Sequence, residues 1–529
     1  MRKNIIIHTM KTTPKRIILL FLLIIVCICD VIVTISVSNN LLDNDTSSEM
    51  ILSKCLYDEK SIVCPDWYYG TEVRIINQQL VFAPLFGLFS DWTMVRIVGV
   101  LIIQLILLTA FVFMLKSVPL ETDSILLGCS LLLLPYCVAY GRIVLYHNYY
   151  ALYIALVFLI CGFLFRILNH QHPLVNSILL GLFCIIGCLN GIRIAFIGIL
   201  PICALSFWCF LRTKNKELLG VMFFCAAAGI IGLLLFTFVI SNRFNINTTY
   251  SFQLRFKGIS EIYIVLFSIL RQFGYRSGIT RGTFLSLMSF AGIGTAVYAI
   301  FLSGMAVLLE KDSKKMMLKG MLIVQLLLTA FSFLFIDLPY SSYNDYARYL
   351  VPASVWVIPL FCMKFEEAKN RALQICFYAV LIIFIGNGLI NSCFFYNPHY
   401  FPQEYDGLPF KSTNSAARYD NAIRFIKEEG FDMGYAFSEI NVISEIMDGF
   451  PMVGIECRDG RLYYLNWLTR TSYRETPAER AFLIADLNEA KTFRGVTDSE
   501  ISELVFREGD RILIYEITDM EAFRSCLHN

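Results

Sequence analysis

Hydrophobic runs of membrane-crossing length, separated by short polar breaks, fill the chain from residue 17 to residue 394. A helix needs about 20 mainly apolar residues to cross the hydrocarbon of a bilayer. The runs predict spans near 17–38, 92–115, 124–140, 149–167, 174–190, 192–211, 218–240, 284–309, 319–336, 350–364 and 372–394. The expected fold is mostly α, a polytopic transmembrane bundle of about eleven spans. The run 350–364 is the weakest, being short and holding Pro352 and Pro359. Leu80 to Phe89 (LVFAPLFGLF) is too short and too broken by Pro and Gly to cross, and reads as a re-entrant or interfacial piece.

The pattern changes at about residue 397. A helical stretch Asn414–Glu429 ends at Gly430, a sensible stop. Short strand-like runs follow at Met433–Phe437, Pro451–Glu456, Arg461–Leu465, Ala481–Ala485 and Arg511–Tyr515. The expected organisation is a membrane domain over 1–396 and a small soluble α/β domain over 397–529. No internal repeat or low-complexity tract interrupts either.

Topology follows from the short basic loops. Arg2, Lys3, Lys11, Lys15 and Arg16 precede the first run, Ile17 to Val37, which is too long for a signal-peptide core and lacks a small-x-small cleavage site. It is read as an uncleaved span with a cytoplasmic N-terminus. The loops at 211–217, 310–319 and 364–371 are rich in Lys and Arg and are placed in the cytoplasm. The 39–91 loop, the 241–283 segment, the 337–349 loop and the C-terminal domain then face outward, across the plasma membrane.

Composition agrees. The chain is 57% hydrophobic and 16% charged, with a mean hydropathy of +0.62, against an apolar share of roughly 45–50% in soluble domains. A net charge of +2 without a basic, aromatic-interleaved patch excludes a nucleic-acid partner. The 17 cysteines are scattered, and no CxxC or Cys/His spacing predicts zinc. Cys55 and Cys64 share the first outer loop, as a disulfide or as two free thiols.

Candidate chemistry collects in that loop. Asp43, Asp45 and Glu49 follow the first span directly. Asp45 and Glu49 are four apart and share a face if a helix begins at the Thr46-Ser47-Ser48 turn. Asp43 or Asp45 suits its N-cap, but capping explains one acid rather than three. A carboxylate at the membrane surface can act as general base on an acceptor hydroxyl or hold a divalent cation, and the metal question stays open. Trp67, Tyr68 and Tyr69 suit an interfacial belt or stacking on a sugar. Glu72 and Arg74 are close enough in sequence to pair with each other or to meet substrate.

Further charges lie on the same side. Arg142, Tyr146 and His147 fall in the predicted outer loop Gly141–Asn148. Arg193 sits at a tight turn between spans, where charge is costly unless it faces a polar space or snorkels, and Asp30 in the first span is one candidate partner. Arg243, Arg255, Lys257, Arg271, Arg276 and Arg281 face a single acid, Glu261, in the 241–283 segment. They suit an anionic ligand, or the basic flanks of an interfacial helix over Ile262–Leu270. Asp345, Arg348 and Tyr349 (DYARYLVP) precede a late span, and Arg348 suits bidentate phosphate recognition or snorkelling.

This assembly resembles the GT-C glycosyltransferases, polytopic enzymes that use polyprenyl-phosphate-linked sugars. The runs LLDNDTSSEMIL, DWYYGTEVRIINQQLVFAPLF, LNGIRIAFIGILP and MGYAFSEINVISEIMDG are similar to bacterial members. The resemblance implies that Asp45 is the first-loop catalytic acid, with Asp43 next and Glu49 beside them. It implies that Arg348, and Arg193 with it, stabilise charge on the departing lipid phosphate. Glu72, Arg74, Trp67, Tyr69, His147 and Tyr349 are the further candidate substrate-binding residues, and a cell-envelope glycan is the expected acceptor. The Asp-Asn-Asp order departs from the family's adjacent paired acids, which leaves the base and metal dependence undecided. Two rivals stand: a flippase of lipid-linked glycans, which predicts midplane charge and a pseudo-repeat, and a non-enzymatic envelope scaffold.

Overall fold

The computed structural model describes residues 14–70, 72–246, 256, 258–276, 284–336, 343–367, 370–397, 415–437, 439–458, 461–497 and 500–528. Arg255, Lys257, Arg281 and the side chain of Asp345 lie outside that description. Among the described residues nine helices are long and apolar enough to cross a membrane, and two shorter apolar helices cover Thr122–Leu132 and Pro173–Cys188. Each of the eleven predicted runs therefore has a helix. This is a multi-pass membrane protein.

The first helix, Pro14–Asn40, shows how one sequence serves two solvents. Ile17, Phe21, Ile24 and Ile28 recur at helical spacing and are 55–65% exposed, the stripe a membrane helix turns to lipid. Leu19, Val26, Val33 and Val37 on the opposite face are buried against the bundle. That face meets the helices Thr122–Leu132, Trp92–Lys116 and Arg371–Tyr396. Helix Trp92–Lys116 packs along Ala151–Leu168, and these form the centre of one continuous apolar core.

The piece expected to be re-entrant is a short helix, Gln79–Leu85, ending in turns. It lies on Trp92–Lys116 because Gly99 offers no side chain there. A Cβ at Gly99 would fall 2.0 Å from the Phe82 ring, so only glycine admits the contact. Gly141–Tyr146 is a π-helical turn rather than the predicted loop. The predicted interfacial helix spans Ile259–Arg271 and packs against Tyr343–Ser354.

Among the described residues ten strands form two sheets. The strands are β1 (Trp67–Tyr69), β2 (Asn245–Ile246), β3 (Met433–Ala436), β4 (Met452–Arg458), β5 (Arg461–Tyr464), β6 (Thr469–Arg470), β7 (Ala481–Ala485), β8 (Ser502–Glu508), β9 (Ile512–Ile517) and β10 (Leu527–His528). Seven make a mixed sheet in the order β10-β5-β4-β3-β7-β9-β8, parallel at β4-β3-β7 and at β10-β5 and antiparallel elsewhere. Strand β7 (AFLIA) is buried on both faces. Phe482 and Ile484 point to helices Ser415–Glu429 and Ile440–Ile446, while Ala481 and Leu483 point to the other core. A strand covered on both sides reads as a continuous apolar run, which is why it was legible. Strand β8 is exposed along much of its length and escaped the sequence pattern.

The second sheet, β2-β1-β6, is small but joins distant segments. Strand β1 pairs parallel with β2 and antiparallel with β6. It ties the first loop to the segment after Lys216–Ile240 and to the C-terminal region.

Candidate active site

The first loop opens with a helix, Asn44–Glu59. Asp43 adopts an extended backbone (φ −133°, ψ 165°) and caps helix Asn44–Glu59. Its Oδ1 accepts from the Thr46 amide at 2.8 Å, and the Thr46 hydroxyl oxygen accepts from the Asp43 amide at 3.2 Å. This reciprocal box satisfies amides that a helix start leaves unpaired. The helix begins before the expected Thr46 turn, and the cap is Asp43 rather than Asp45.

Asp43 is engaged by three further side chains. Tyr149 donates to Oδ1 at 2.5 Å, Arg142 Nη2 donates to Oδ2 at 2.7 Å, and His147 Nδ1 lies 3.3 Å from Oδ2. The other His147 nitrogen is 3.1 Å from the Leu41 carbonyl. Burial alone would raise the Asp43 carboxyl, but His147 and Arg142 hold it well below the usual carboxylate range. These partners favour the ionised form of Asp43. His147 is buried against it and acts on the carboxylate rather than on an open surface.

Asp45 occupies the first turn and is partly exposed. Among the described residues none donates a hydrogen bond to its carboxylate, whose electrostatic neighbours are Asp43, Arg74, Arg348 and Arg142. Burial and the Asp43 charge push Asp45 above the usual carboxylate range, and the three guanidiniums pull it part of the way back. A carboxylate poised upward and unengaged is the form a general base takes. Glu49, one turn on, is 2% exposed and bound by Arg74 Nη1. Burial raises it and Arg74 lowers it in part. Glu49 thus lies deeper than Asp45 and is paired with Arg74.

Glu72 and Arg74 do not pair with each other. Arg74 goes to Glu49, while Glu72 Oε1 accepts from Arg193 Nε at 3.1 Å and Tyr153 donates to Oε2 at 3.4 Å. The Arg193 guanidinium lies 4.7 Å from the Tyr150 ring centre and 5.3 Å from that of Tyr153. Gly191, at φ 111°, gives the turn its left-handed step and lets the Glu72 side chain approach. Asn190 seals the junction, accepting from the Ile76 amide at 3.0 Å and donating to its carbonyl at 2.9 Å. Asp30 lies elsewhere, 3.3 Å from Gln104 Nε2, and is not the partner of Arg193.

Arg348 lies at the middle of helix Tyr343–Ser354, its Nη2 donating to the Tyr349 hydroxyl at 3.2 Å. Its charge acts on Asp45 and on Tyr150, which places it at the same centre. Trp67 and Tyr69 correct another expectation. They are 1% and 3% exposed, so neither offers a face to a sugar or to lipid. Tyr69 packs edge-on against Phe244 at 5.7 Å, and its hydroxyl lies 3.0 Å from the Cys64 amide.

Sequence reasoning passed over the contacts made by the C-terminal region. Asn441 donates through its amide to Asn44 Oδ1 at 2.9 Å and through its side chain to the Asn44 carbonyl at 3.4 Å. Asn44 stands between Asp43 and Asp45. Arg96 Nε donates to Glu445 Oε1 at 3.0 Å, with both side chains 5% exposed, and Arg96 Nη2 reaches the Thr46 carbonyl at 3.4 Å. The acid-bearing turn is thus gripped from the C-terminal side. One signal was available: an arginine inside the predicted 92–115 span needs a partner.

No family model and no curated protein sequence matches the chain. Solved structures do match it, ArnT among them. ArnT from Cupriavidus metallidurans in the apo state aligns at a TM-score of 0.59 and 10% identity, over 94% of this chain and 97% of that one. The same protein bound to undecaprenyl phosphate aligns at 0.55 and 10% identity, over 94% and 98%. At that identity the likeness is one of fold, and the fold is GT-C-like, as the sequence resemblance implied.

Proposed function

We propose that this chain is a membrane glycosyltransferase that moves a hexosyl or pentosyl unit from a polyprenyl-phosphate-linked donor to a cell-envelope glycan acceptor. The observation that carries the reading is Asp45: a carboxylate with no described hydrogen-bond donor, held among Arg74, Arg142 and Arg348, in a GT-C-like fold. The ArnT structure bound to undecaprenyl phosphate supports a polyprenyl phosphate as the donor's lipid part. In this reading the 241–283 segment borders the donor's approach from the bilayer, residues 397–529 form an outward soluble domain, and the reaction takes place on the outer face of the plasma membrane.

The acceptor hydroxyl attacks the anomeric carbon while Asp45 takes its proton. The bond from that carbon to the phosphate oxygen breaks, and the polyprenyl phosphate leaves with the electron pair. One direct displacement inverts the anomeric configuration. Arg348 stands ready to stabilise the growing phosphate charge, and fixed cations aimed at developing charge are commonly the largest catalytic contribution. Asp43 keeps its own charge on Arg142 and His147 and so biases Asp45 toward taking the proton.

The test is donor turnover by the purified full chain in lipid nanodiscs, with polyprenyl-phosphate sugars as donors and cell-envelope glycan extract as acceptor. Release of polyprenyl phosphate with loss of the donor supports the proposal. Transbilayer movement of the same lipid in vesicles, with no donor consumed, overturns it in favour of a flippase. Neither consumption nor movement would favour the scaffold.

A further inference from the structure

We propose that Cys55, Glu59, Cys64 and Asp66 form a structural site for a tetrahedral divalent cation of the zinc class. The site lies at the far end of the helix whose first turn carries Asp45, and the inference is independent of the reaction proposed above. One donor atom from each of the four residues lies within 4.8 Å of the others. Cysteine spacing, which looks for CxxC and Cys/His pairs, passes over carboxylate ligands.

Local structure brings the four together. Cys55 and Glu59 are one turn apart near the end of helix Asn44–Glu59. Lys60 closes the helix in the left-handed region (φ 50°, ψ 41°), its amide reaching the Leu56 and Tyr57 carbonyls. The chain reverses there and returns Cys64 and Asp66 to the helix end. The Tyr69 hydroxyl fixes Cys64, lying 3.0 Å from its amide and 3.3 Å from its carbonyl.

The donor atoms are gathered to the scale of a coordination shell, one spacing tighter and one wider than in a filled tetrahedron. Zinc binds sulfur at about 2.3 Å and carboxylate oxygen at about 2.0–2.2 Å, so neighbouring ligand atoms of a tetrahedron stand roughly 3.3–3.8 Å apart. Here Cys64 Sγ is 2.8 Å from Asp66 Oδ1, Cys55 Sγ is 3.3 Å from Glu59 Oε1, and Cys64 Sγ is 4.0 Å from the same oxygen. Both cysteines are almost wholly buried, while the two acids reach partly to solvent. Soft sulfur inside and carboxylate at the rim suits a borderline ion.

A supporting shell is in place. Arg470 Nε donates to Asp66 Oδ2 at 3.0 Å and Arg470 Nη2 to Glu59 Oε1 at 2.7 Å. Ser472 donates to the same Asp66 Oδ2, and the Thr471 amide to the Asp66 carbonyl at 2.7 Å. Metal-binding carboxylates are normally held by their other atoms, as Asp66 is through Oδ2, while on Glu59 the guanidinium shares the oxygen that faces the cysteines. A Cys55–Cys64 disulfide explains the geometry less well. Its sulfurs would carry no proton, leaving two carboxylate oxygens against electron-rich sulfur. A cation instead satisfies all four donors, the thiols giving their protons to solvent as it binds. Four protein ligands leave no open position, so the ion's part is to staple the helix end to β1 and β6.

The experiment uses the full chain purified in detergent without chelator. Metal is quantified by inductively coupled plasma mass spectrometry, and the stripped protein is titrated with zinc against a chromophoric chelator. The thiols are read by alkylation under denaturing conditions followed by intact mass. The expected result is about one zinc per chain, both thiols alkylated, and zinc affinity at least about tenfold weaker in Glu59→Gln and Asp66→Asn. Cys64→Ser should lose the metal. If that variant fails to fold, the two carboxylate variants and the wild-type measurement still decide. Wild-type protein without zinc affinity, a Cys55–Cys64 disulfide, or carboxylate variants that bind as wild type would each overturn the proposal.

Discussion

Replacing Asp43 and Asp45 separately by asparagine should separate stability from catalysis. Asp43 carries the helix cap and bonds to Arg142 and Tyr149. Asparagine keeps the cap, since both residues are good N-caps, but it removes the charge that answers Arg142. The pair is partly open, with side chains 34% and 25% exposed. Its worth therefore lies between the roughly 0–1 kcal/mol of a surface ion pair and the roughly 3–5 kcal/mol lost on breaking a buried one. Asp43→Asn should cost about 2–3 kcal/mol on that interpolation. Asp45 is the reverse case. Burial and Asp43 raise it, so its ionised form is unfavourable in the fold, and Asp45→Asn should unfold at the wild-type temperature or above. Its rate should fall by about 10²–10⁴, the usual contribution of a general base, or about 3–5 kcal/mol in the barrier. Thermal unfolding in detergent gives the first quantity and polyprenyl phosphate release the second. If Asp45→Asn turns over donor at the wild-type rate, or if Asp43→Asn is fully stable yet inactive, the two acids do not divide stability and proton transfer between them.

Three further outcomes follow from the same geometry. Turnover should fall on the acid side at a pH above the ordinary carboxylate range, because Asp45 must be ionised and its pKa is raised. Asp43, held low, loses its stabilising charge only as pH falls through its depressed folded pKa. A pH profile should therefore lose activity before unfolding is seen, and coincident loss would refute the assignment. Glu445→Ala should destabilise the chain by about 3–5 kcal/mol, since it leaves Arg96 buried beside the Thr46 carbonyl without its carboxylate. Proteolysis of the acid helix and the unfolding temperature report it, and an unchanged pair of readings would show that the C-terminal contact is incidental. Arg348→Ala should weaken donor binding or turnover with normal expression and unfolding, whereas misfolding would assign Arg348 to packing.

The membrane bundle was legible because one physical rule dominates it: backbone polar groups in lipid must be satisfied within the segment, so long apolar runs become helices. The same rule hides the site. Pairing among Glu49, Glu72, Arg74 and Arg193 looks local in sequence, with Glu72 and Arg74 two residues apart. The fold crosses the pairs, sending Arg74 back to Glu49 and Glu72 on to Arg193. No periodicity carries that choice, which depends on where Gly191 and Asn190 dock the loop. The choice between Asp43 and Asp45 shows the same limit more finely. Both residues are equally good caps, and the sequence pattern cannot rank them. The decision falls to residues about a hundred positions away, Arg142, His147 and Tyr149, which converge on Asp43 and claim its carboxylate. Once Asp43 is claimed, helical geometry leaves Asp45 in the first turn without a described donor, and Asn441 holds that turn by the residue between them. The candidate base is thus defined less by its own surroundings than by how completely its neighbour has been used.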